Sequence, residues 1–211
     1  MNNIPFLRKI DEYNLPIILS TGMSTLEEVS YSIENIAISP LALLHCTSEY
    51  PAPLQDVNLL AMKTMQKTFN KVVGYSDHTE GIEASLAAVA LGAKIIEKHF
   101  TLDRNLEGPD HKASMEAREF KQLVHSIRNV ELLLGDGVKR VMPSEENTMM
   151  VARKSLFFTR KMYPGDVIKL SDLTVKRPGT GLEPRYLYDF IGKIVVREVE
   201  AEQCLNWDDV K

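Results

Sequence analysis

From residue 16 to about 135 the apolar positions fall into four repeats of one design. Each is a short run rich in Ile, Leu or Val, then a longer stretch in which apolar residues return every third or fourth position. Runs of the first kind read as strands buried on both faces, and the second spacing places side chains along one stripe of a helix. The first repeat joins PIILSTGM to STLEEVSYSIENI, where Leu26, Val29, Ile33 and Ile36 share a face and Ser24 with Glu27 has capping-box spacing. The second joins LALLHCTSEYPAP to QDVNLLAMKTMQKTF, striped by Val57, Leu60, Ala61, Met65 and Phe69. VVGYSDH and the alanine-rich GIEASLAAVALG form the third, with Gly92 placed to end the helix. KIIEKHF, a loop rich in Gly, Pro and Asp, and EAREFKQLVHSIRNVELLL form the fourth, striped by Phe120, Leu123, Val124, Ile127 and Val130.

Strand onsets near 17, 42, 72 and 95 lie 23 to 30 residues apart, the repeat length of βα units in a parallel sheet. Four such units are half of an eight-stranded barrel, which takes about 250 residues, and the same pattern also fits a small doubly wound sheet. In both architectures the loops at the C-terminal strand ends carry the chemistry. After Gly135 and Gly137 the text changes: SEENTMMVAR is a short helical stretch, and from Lys154 short strands alternate with turns such as YPGD, with one short helix near EPRYLYDFIG. The expected division is a partial α/β barrel at 1–138, a linker at 139–153 and a small β-rich domain at 154–211. At about 58 residues that last domain is marginal alone and is expected to pack on something else.

Composition narrows the function classes. A net charge of −4 and a pI near 5.8, with no basic stripe, give no general attraction for nucleic acid or an anionic membrane. No apolar run approaches the roughly 20 residues of a membrane span, and MNNIPFLRKIDEYN lacks the apolar centre of a signal peptide. Cys46 and Cys204 are far apart and form no CxxC pattern, so free thiols in a cytoplasmic, reducing compartment are expected.

Two strand runs end in a histidine, His78 and His99, 21 residues apart. As neighbours in one parallel sheet they would share its C-terminal edge, either as a pair of ligands for one divalent metal or as two hydrogen-bonded strand-end side chains. Asp77 could orient an imidazole or cap the following turn. Asp110, with His111 and Lys112 beside it, lies in the polar loop after Gly108 and Pro109. Ser20, Ser48 and Ser76 each end a strand run, where a small hydroxyl can approach a phosphate. Tyr50 precedes Pro51, and Arg177 lies in KRPGTG beside Lys176, where a solvated strand edge is the simple alternative. His45 reads as a satisfied core histidine, His125, Glu97 and Lys98 as surface pairing groups, and Arg104 as either a steering charge or part of a basic loop.

Taken in order, LSTGM, LLHCTSEYPAP, GYSDHTEG, EKHFTLDR and EGPDHKAS, followed by KRPGTG in a β-rich tail, resemble the sialic acid (N-acetylneuraminate) synthase family. The resemblance implies a (β/α)8 barrel followed by an antifreeze-like SAF domain, in a domain-swapped homodimer where each SAF domain caps the partner's barrel. It implies condensation of phosphoenolpyruvate with N-acetylmannosamine, or a legionaminic- or pseudaminic-type relative, to a nonulosonic acid and phosphate. His78 and His99 match the family's ligands for Mn2+ or Mg2+, and Asp110 its active-site aspartate. Ser20, Ser48 and Ser76 match the tier that holds phosphoenolpyruvate, Tyr50 a wall of the sugar pocket, and Arg177 the arginine that holds the N-acetyl group. Family members carry about four βα units ahead of the LSTGM strand, including a glutamate expected to be the base. The chain therefore resembles the C-terminal portion of a synthase, and a catalytically incomplete fragment or binding module that needs a separate N-terminal half is the rival expectation.

Overall fold

The computed structural model describes residues 1–211, which divide into two compact units, Met1–Gly137 and Val138–Lys211. In the first, β1 (Ile17–Ser20), β2 (Leu41–Cys46), β3 (Val72–Asp77) and β4 (Ile96–Lys98) form one parallel sheet in sequential order. The crossovers are α2 (Leu26–Glu34), α3 (Leu60–Phe69) and α4 (Glu83–Ala90), and a short α1 (Ile4–Asp11) precedes β1. Val29 of α2, Met62 and Met65 of α3, and Ala84 and Ala88 of α4 share one core with Leu43, Val73 and Tyr75. All three crossovers therefore cover the same face, which settles the choice that periodicity left open. A doubly wound sheet would place helices on both faces, whereas sequential strands with helices on one side make a half-barrel.

The other face is concave and carries Ser20, Leu44, Cys46, Gly74, Ser76 and Glu97, aligned by the pairings Ser20↔Leu44, Leu44↔Gly74, Cys46↔Ser76 and Ser76↔Glu97. Ile18 stays 56% exposed there. The start of α2 lies one residue later than the spacing indicates. Thr25 is the N-cap and exchanges hydrogen bonds with Glu28, while the Ser24 hydroxyl turns back to the Gly22 carbonyl. Both pairs have an acid three residues on, and the extended backbone at Thr25 decides between them. The Asp11 carboxylate accepts the amides of Ala37, Ile38 and Ser39, which anchors α1 to the loop before β2.

Beyond β4, β5 (Phe100–Thr101) pairs in parallel with β6 (Met115–Glu116), and α5 (Ala117–Leu134) follows. The loop between β5 and β6 is clamped by Arg104, whose Nε donates to the Ser114 carbonyl at 2.9 Å and whose Nη2 reaches Glu119 at 2.5 Å. Arg104 is thus committed to the loop.

The Tyr75 hydroxyl is buried in the helix-side core without a partner among the protein's polar groups, and burial, ahead of the Asp77 charge, pushes its pKa up. Tyr75→Phe is therefore expected to leave stability unchanged or raise it by about 1 kcal/mol, because the substitution removes an unpaid desolvation cost. Urea denaturation measures this, and a loss of more than about 1 kcal/mol would show that the hydroxyl is satisfied in solution.

In the second unit, β7 (Ser155–Phe158) and β8 (Leu173–Lys176) are antiparallel, and isolated bridges such as Met162↔Val199 and Val195↔Val210 extend the pairing. Leu156, Phe158, Met162, Ile168, Phe190, Val199 and Leu205 form its core. Gly165 of YPGD has φ +100°, as a turn at that position requires. The stretch expected to be a linker carries α6 (Glu146–Ala152), and the Gly179 amide donates to the Met150 carbonyl at 3.1 Å. Asp172 is held ionised by the Arg160 guanidinium at 2.8 Å, which keeps its carboxyl below the ordinary carboxylate range.

Candidate active site

His78 and His99 each stand one residue past the end of neighbouring parallel strands, β3 and β4, so both reach the same sheet edge. Their ring centroids are 5.3 Å apart and their planes are nearly perpendicular, at 80°. Two imidazoles bound to one ion through bonds of about 2 Å have centroids roughly 4.5 to 6.5 Å apart. The spacing fits.

The protonation of His78 Nδ1 follows from its partner. Nδ1 lies 2.7 Å from the Thr47 carbonyl oxygen, an acceptor only, so Nδ1 carries a proton. Nε2 faces the Ser76 Oγ at 3.2 Å, and that hydroxyl donates its single proton to Glu97 Oε1 at 2.6 Å. A ring nitrogen anchored on a backbone carbonyl is the usual arrangement of a metal-ligating histidine. No group of three or more His, Cys, Asp or Glu side chains converges on a common point, so an ion shared by these rings would have only the two imidazoles as ligands from this set.

The Tyr50 ring lies 4.2 Å from that of His78 and 5.1 Å from that of His99, and the following turn is pinned by the Ala52 amide on the His78 carbonyl at 2.8 Å. Burial, ahead of the nearby Asp110 and Glu97 charges, pushes the Tyr50 hydroxyl's pKa up, which keeps it a neutral phenol. Asp110 comes from the clamped loop, where its carbonyl accepts the Ser114 hydroxyl at 2.6 Å and His111 Nδ1 lies 2.8 Å from Thr101 Oγ1. Ser48 stands beside Cys46, and both press on Gly22: a Cβ there would overlap the Ser48 hydroxyl and come within 2.9 Å of the Cys46 Sγ. Burial pushes the Cys46 thiol's pKa up, which keeps it a protonated wall of the site. Ser20, exposed at the end of β1, lies on the same face two strands from Ser76, roughly 10 Å across the sheet. Arg177 belongs to the second unit, where it is exposed just past β8 while neighbouring Lys176 pairs with Glu202.

Several assignments shift. Glu97, read as a surface pairing group, points onto the concave face and holds the Ser76 hydroxyl. The period of two along EKH, which puts Glu97 and His99 on one face, is the signal that could have found it. Lys98 is buried, its side chain 2% exposed, against Asp77. Asp77 caps the next turn through the Thr79 amide and hydroxyl instead of orienting an imidazole. His45 is satisfied by the Val57 carbonyl at 2.7 Å, as expected of a core histidine. A hollow of about 760 Å³ opens between Ser48, Glu49 and the start of α3, and another of about 710 Å³ beside α2, but neither includes His78 or His99, which lie on the open concave face.

Known proteins resemble the chain along its whole length. A NeuB family model matches residues 1–139 and a SAF domain model matches 153–211. An N,N'-diacetyllegionaminic acid synthase of Campylobacter jejuni is 44% identical over 98% of this chain and 63% of its own length. Human N-acetylneuraminate-9-phosphate synthase is 37% identical over 97% of this chain and 58% of its own length. The crystal structure of an N-acetylneuraminic acid (sialic acid) synthetase from Leptospira borgpetersenii in complex with citrate covers 70% of this chain and 52% of its own, with 39% identity and a TM-score of 0.64. The chain thus spans about three fifths of the length of the curated relatives it matches. No helix is long and apolar enough to cross a membrane.

Proposed function

Because the chain belongs to the NeuB family and carries a SAF domain, we propose that it serves the condensation of phosphoenolpyruvate with an N-acetylated amino sugar, giving a nonulosonic acid and phosphate. The observation that carries this reading is the pair of imidazoles on adjacent strands, 5.3 Å apart, with the His78 Nδ1–H anchored on a backbone carbonyl. In the reaction, C3 of phosphoenolpyruvate attacks the open-chain aldehyde, water adds at C2, and phosphate leaves by C–O cleavage. A divalent cation, Mn2+ or Mg2+, held by His78 and His99 would polarise the aldehyde and orient the two substrates.

The remaining work belongs to the chain's own groups. Glu97 fixes the Ser76 hydroxyl, which must rotate off that carboxylate before it can donate to a phosphate. Ser48 and Ser20 offer further hydroxyls on the same face. Tyr50 walls the sugar beside the imidazoles, and Asp110 accepts hydrogen bonds from acceptor hydroxyls. Holding two substrates face to face can supply several kcal/mol of the barrier reduction. Arg177 holds the N-acetyl carbonyl with its planar fork, reached in a domain-swapped homodimer. The acceptor is N-acetylmannosamine or a 6-deoxy diacetamido relative, since relatives named for both kinds of product match the chain.

The test is phosphate release with each acceptor in turn, by this chain together with the N-terminal half that carries the family's expected base. Release that requires phosphoenolpyruvate, Mn2+ and the amino sugar together is expected, and the preferred acceptor identifies the sugar. Release without the sugar, or no saturable binding of either substrate, contradicts the proposal. Arg177→Ala is expected to raise KM for the amino sugar about tenfold or more while shifting that for phosphoenolpyruvate less than twofold, in line with the loss of one oriented hydrogen-bonding group. The opposite ordering would remove Arg177 from the sugar pocket.

A further inference from the structure

We propose that the buried ion pair between Asp77 and Lys98 is a positioning device that sets the separation of the two imidazoles on the opposite face of the sheet. Asp77 and Lys98 are register partners, the last residues of β3 and β4, and each immediately precedes one of the two histidines. Successive side chains on a strand point to opposite faces, so the pair lies on the helix side and the rings on the concave side. Lys98 Nζ is 3.1 Å from Asp77 Oδ2, and the two side chains are 2% and 0% exposed.

The pair sits within a closed set of hydrogen bonds. Lys98 Nζ also donates to the Thr79 carbonyl at 2.5 Å. Asp77 Oδ1 accepts the Thr79 amide and hydroxyl at 2.9 and 2.8 Å, and Oδ2 accepts the Ser85 hydroxyl of α4 at 2.5 Å. The 77–79 turn, with His78 at its centre, is thus tied to β4, to itself and to α4.

A buried pair of this kind is weak evidence for stability, because desolvation offsets most of the Coulomb attraction and apolar residues could fill the same space. What it adds is direction and register. Slippage of β4 by one residue would turn Lys98 onto the concave face and His99 into the helix layer. Apolar contacts would resist such a slip less sharply than a two-point tether closed by Thr79. The placement of the rings stands on geometry alone, and only their use as a shared cation site rests on the function proposed above.

The experiment compares Lys98→Met and Asp77→Asn with Ser85→Ala, which loosens the α4 anchor of Asp77 without touching β4. Two readouts are taken on the full chain: the hydrogen-bonded His78 Nδ1–H signal in 15N-histidine NMR spectra without metal, and Mn2+ affinity by calorimetry. Lys98→Met and Asp77→Asn are expected to lose the Nδ1–H signal and to weaken Mn2+ binding at least tenfold, the scale at which groups supporting a ligand act. Ser85→Ala is expected to lower the melting temperature while leaving both readouts within about twofold. Three variants whose readouts fall in step with their melting temperatures, or pair variants that change neither readout, would overturn the proposal. So would unfolding of both pair variants while Ser85→Ala folds, which would make the pair a requirement of the fold. If the unmodified chain binds no Mn2+, the cation reading fails and the NMR comparison alone decides.

Discussion

Replacing His78 with alanine is expected to weaken Mn2+ binding by more than tenfold and to bring phosphate release to background, with the melting temperature within about 5 °C of the unmodified chain. The fold tolerates the loss because the His78 ring lies on the open concave face: it contacts the Tyr50 and His99 rings and the Thr47 carbonyl, and it contributes nothing to the helix-side core. The Thr47 carbonyl it leaves is half-buried and can be rehydrated. His99→Ala should cost a similar amount, and the double substitution little more than either single one, because residues that act as one unit are not additive. Calorimetry and the phosphate assay check both claims. Affinity that is unchanged in either single variant, or that halves in each and quarters in the double, would show that the rings do not share an ion.

Gly74→Ala is expected to destabilise the first unit by about 3 kcal/mol or more, the range of overpacking that the backbone cannot relax. A Cβ at position 74 would overlap the Ile95 carbonyl oxygen and come within 2.7 Å of Leu44 Cδ2 and 2.8 Å of Ile95 Cβ. The same carbonyl accepts the Tyr75 amide at 2.9 Å, so the methyl would wedge β3 from β4 where they are joined. These are the strands that carry the two histidines, so Mn2+ affinity should fall in the fraction that remains folded. Urea denaturation of the full chain measures the first effect, and a loss below about 1 kcal/mol would mean that the strands part more easily than their contacts indicate.

The strands and crossover helices were legible because their signals are local. Onsets expected near 17, 42, 72 and 95 fall at 17, 41, 72 and 96, and Gly92 adopts the positive φ that its place after α4 requires. The choice between half-barrel and doubly wound sheet was not legible, since it depends on which face the crossovers cover and a strand buried on both faces looks alike in either case. The two histidines could be paired from spacing and parallel order. Their support could not be read so directly. The Thr47 carbonyl that anchors the His78 Nδ1–H is a backbone group, which no side-chain pattern marks. Glu97 and Lys98 looked like a charged flank of His99, yet on a pleated strand one faces the site and the other the helices, and their partners, Ser76 and Asp77, are 21 residues away. The α2 cap moved by one residue for a plainer reason: two adjacent hydroxyls each had an acid at the right distance, and only the backbone angle distinguishes them.

The most direct measurement is pulsed EPR of the full chain loaded with Mn2+ and labelled with 15N-histidine. Two equivalent classes of imidazole nitrogen coupled to one ion, reduced to one in His78→Ala and in His99→Ala, is the predicted result. A spectrum showing a single histidine nitrogen or none in the unmodified chain would contradict the shared site on which the proposed chemistry depends.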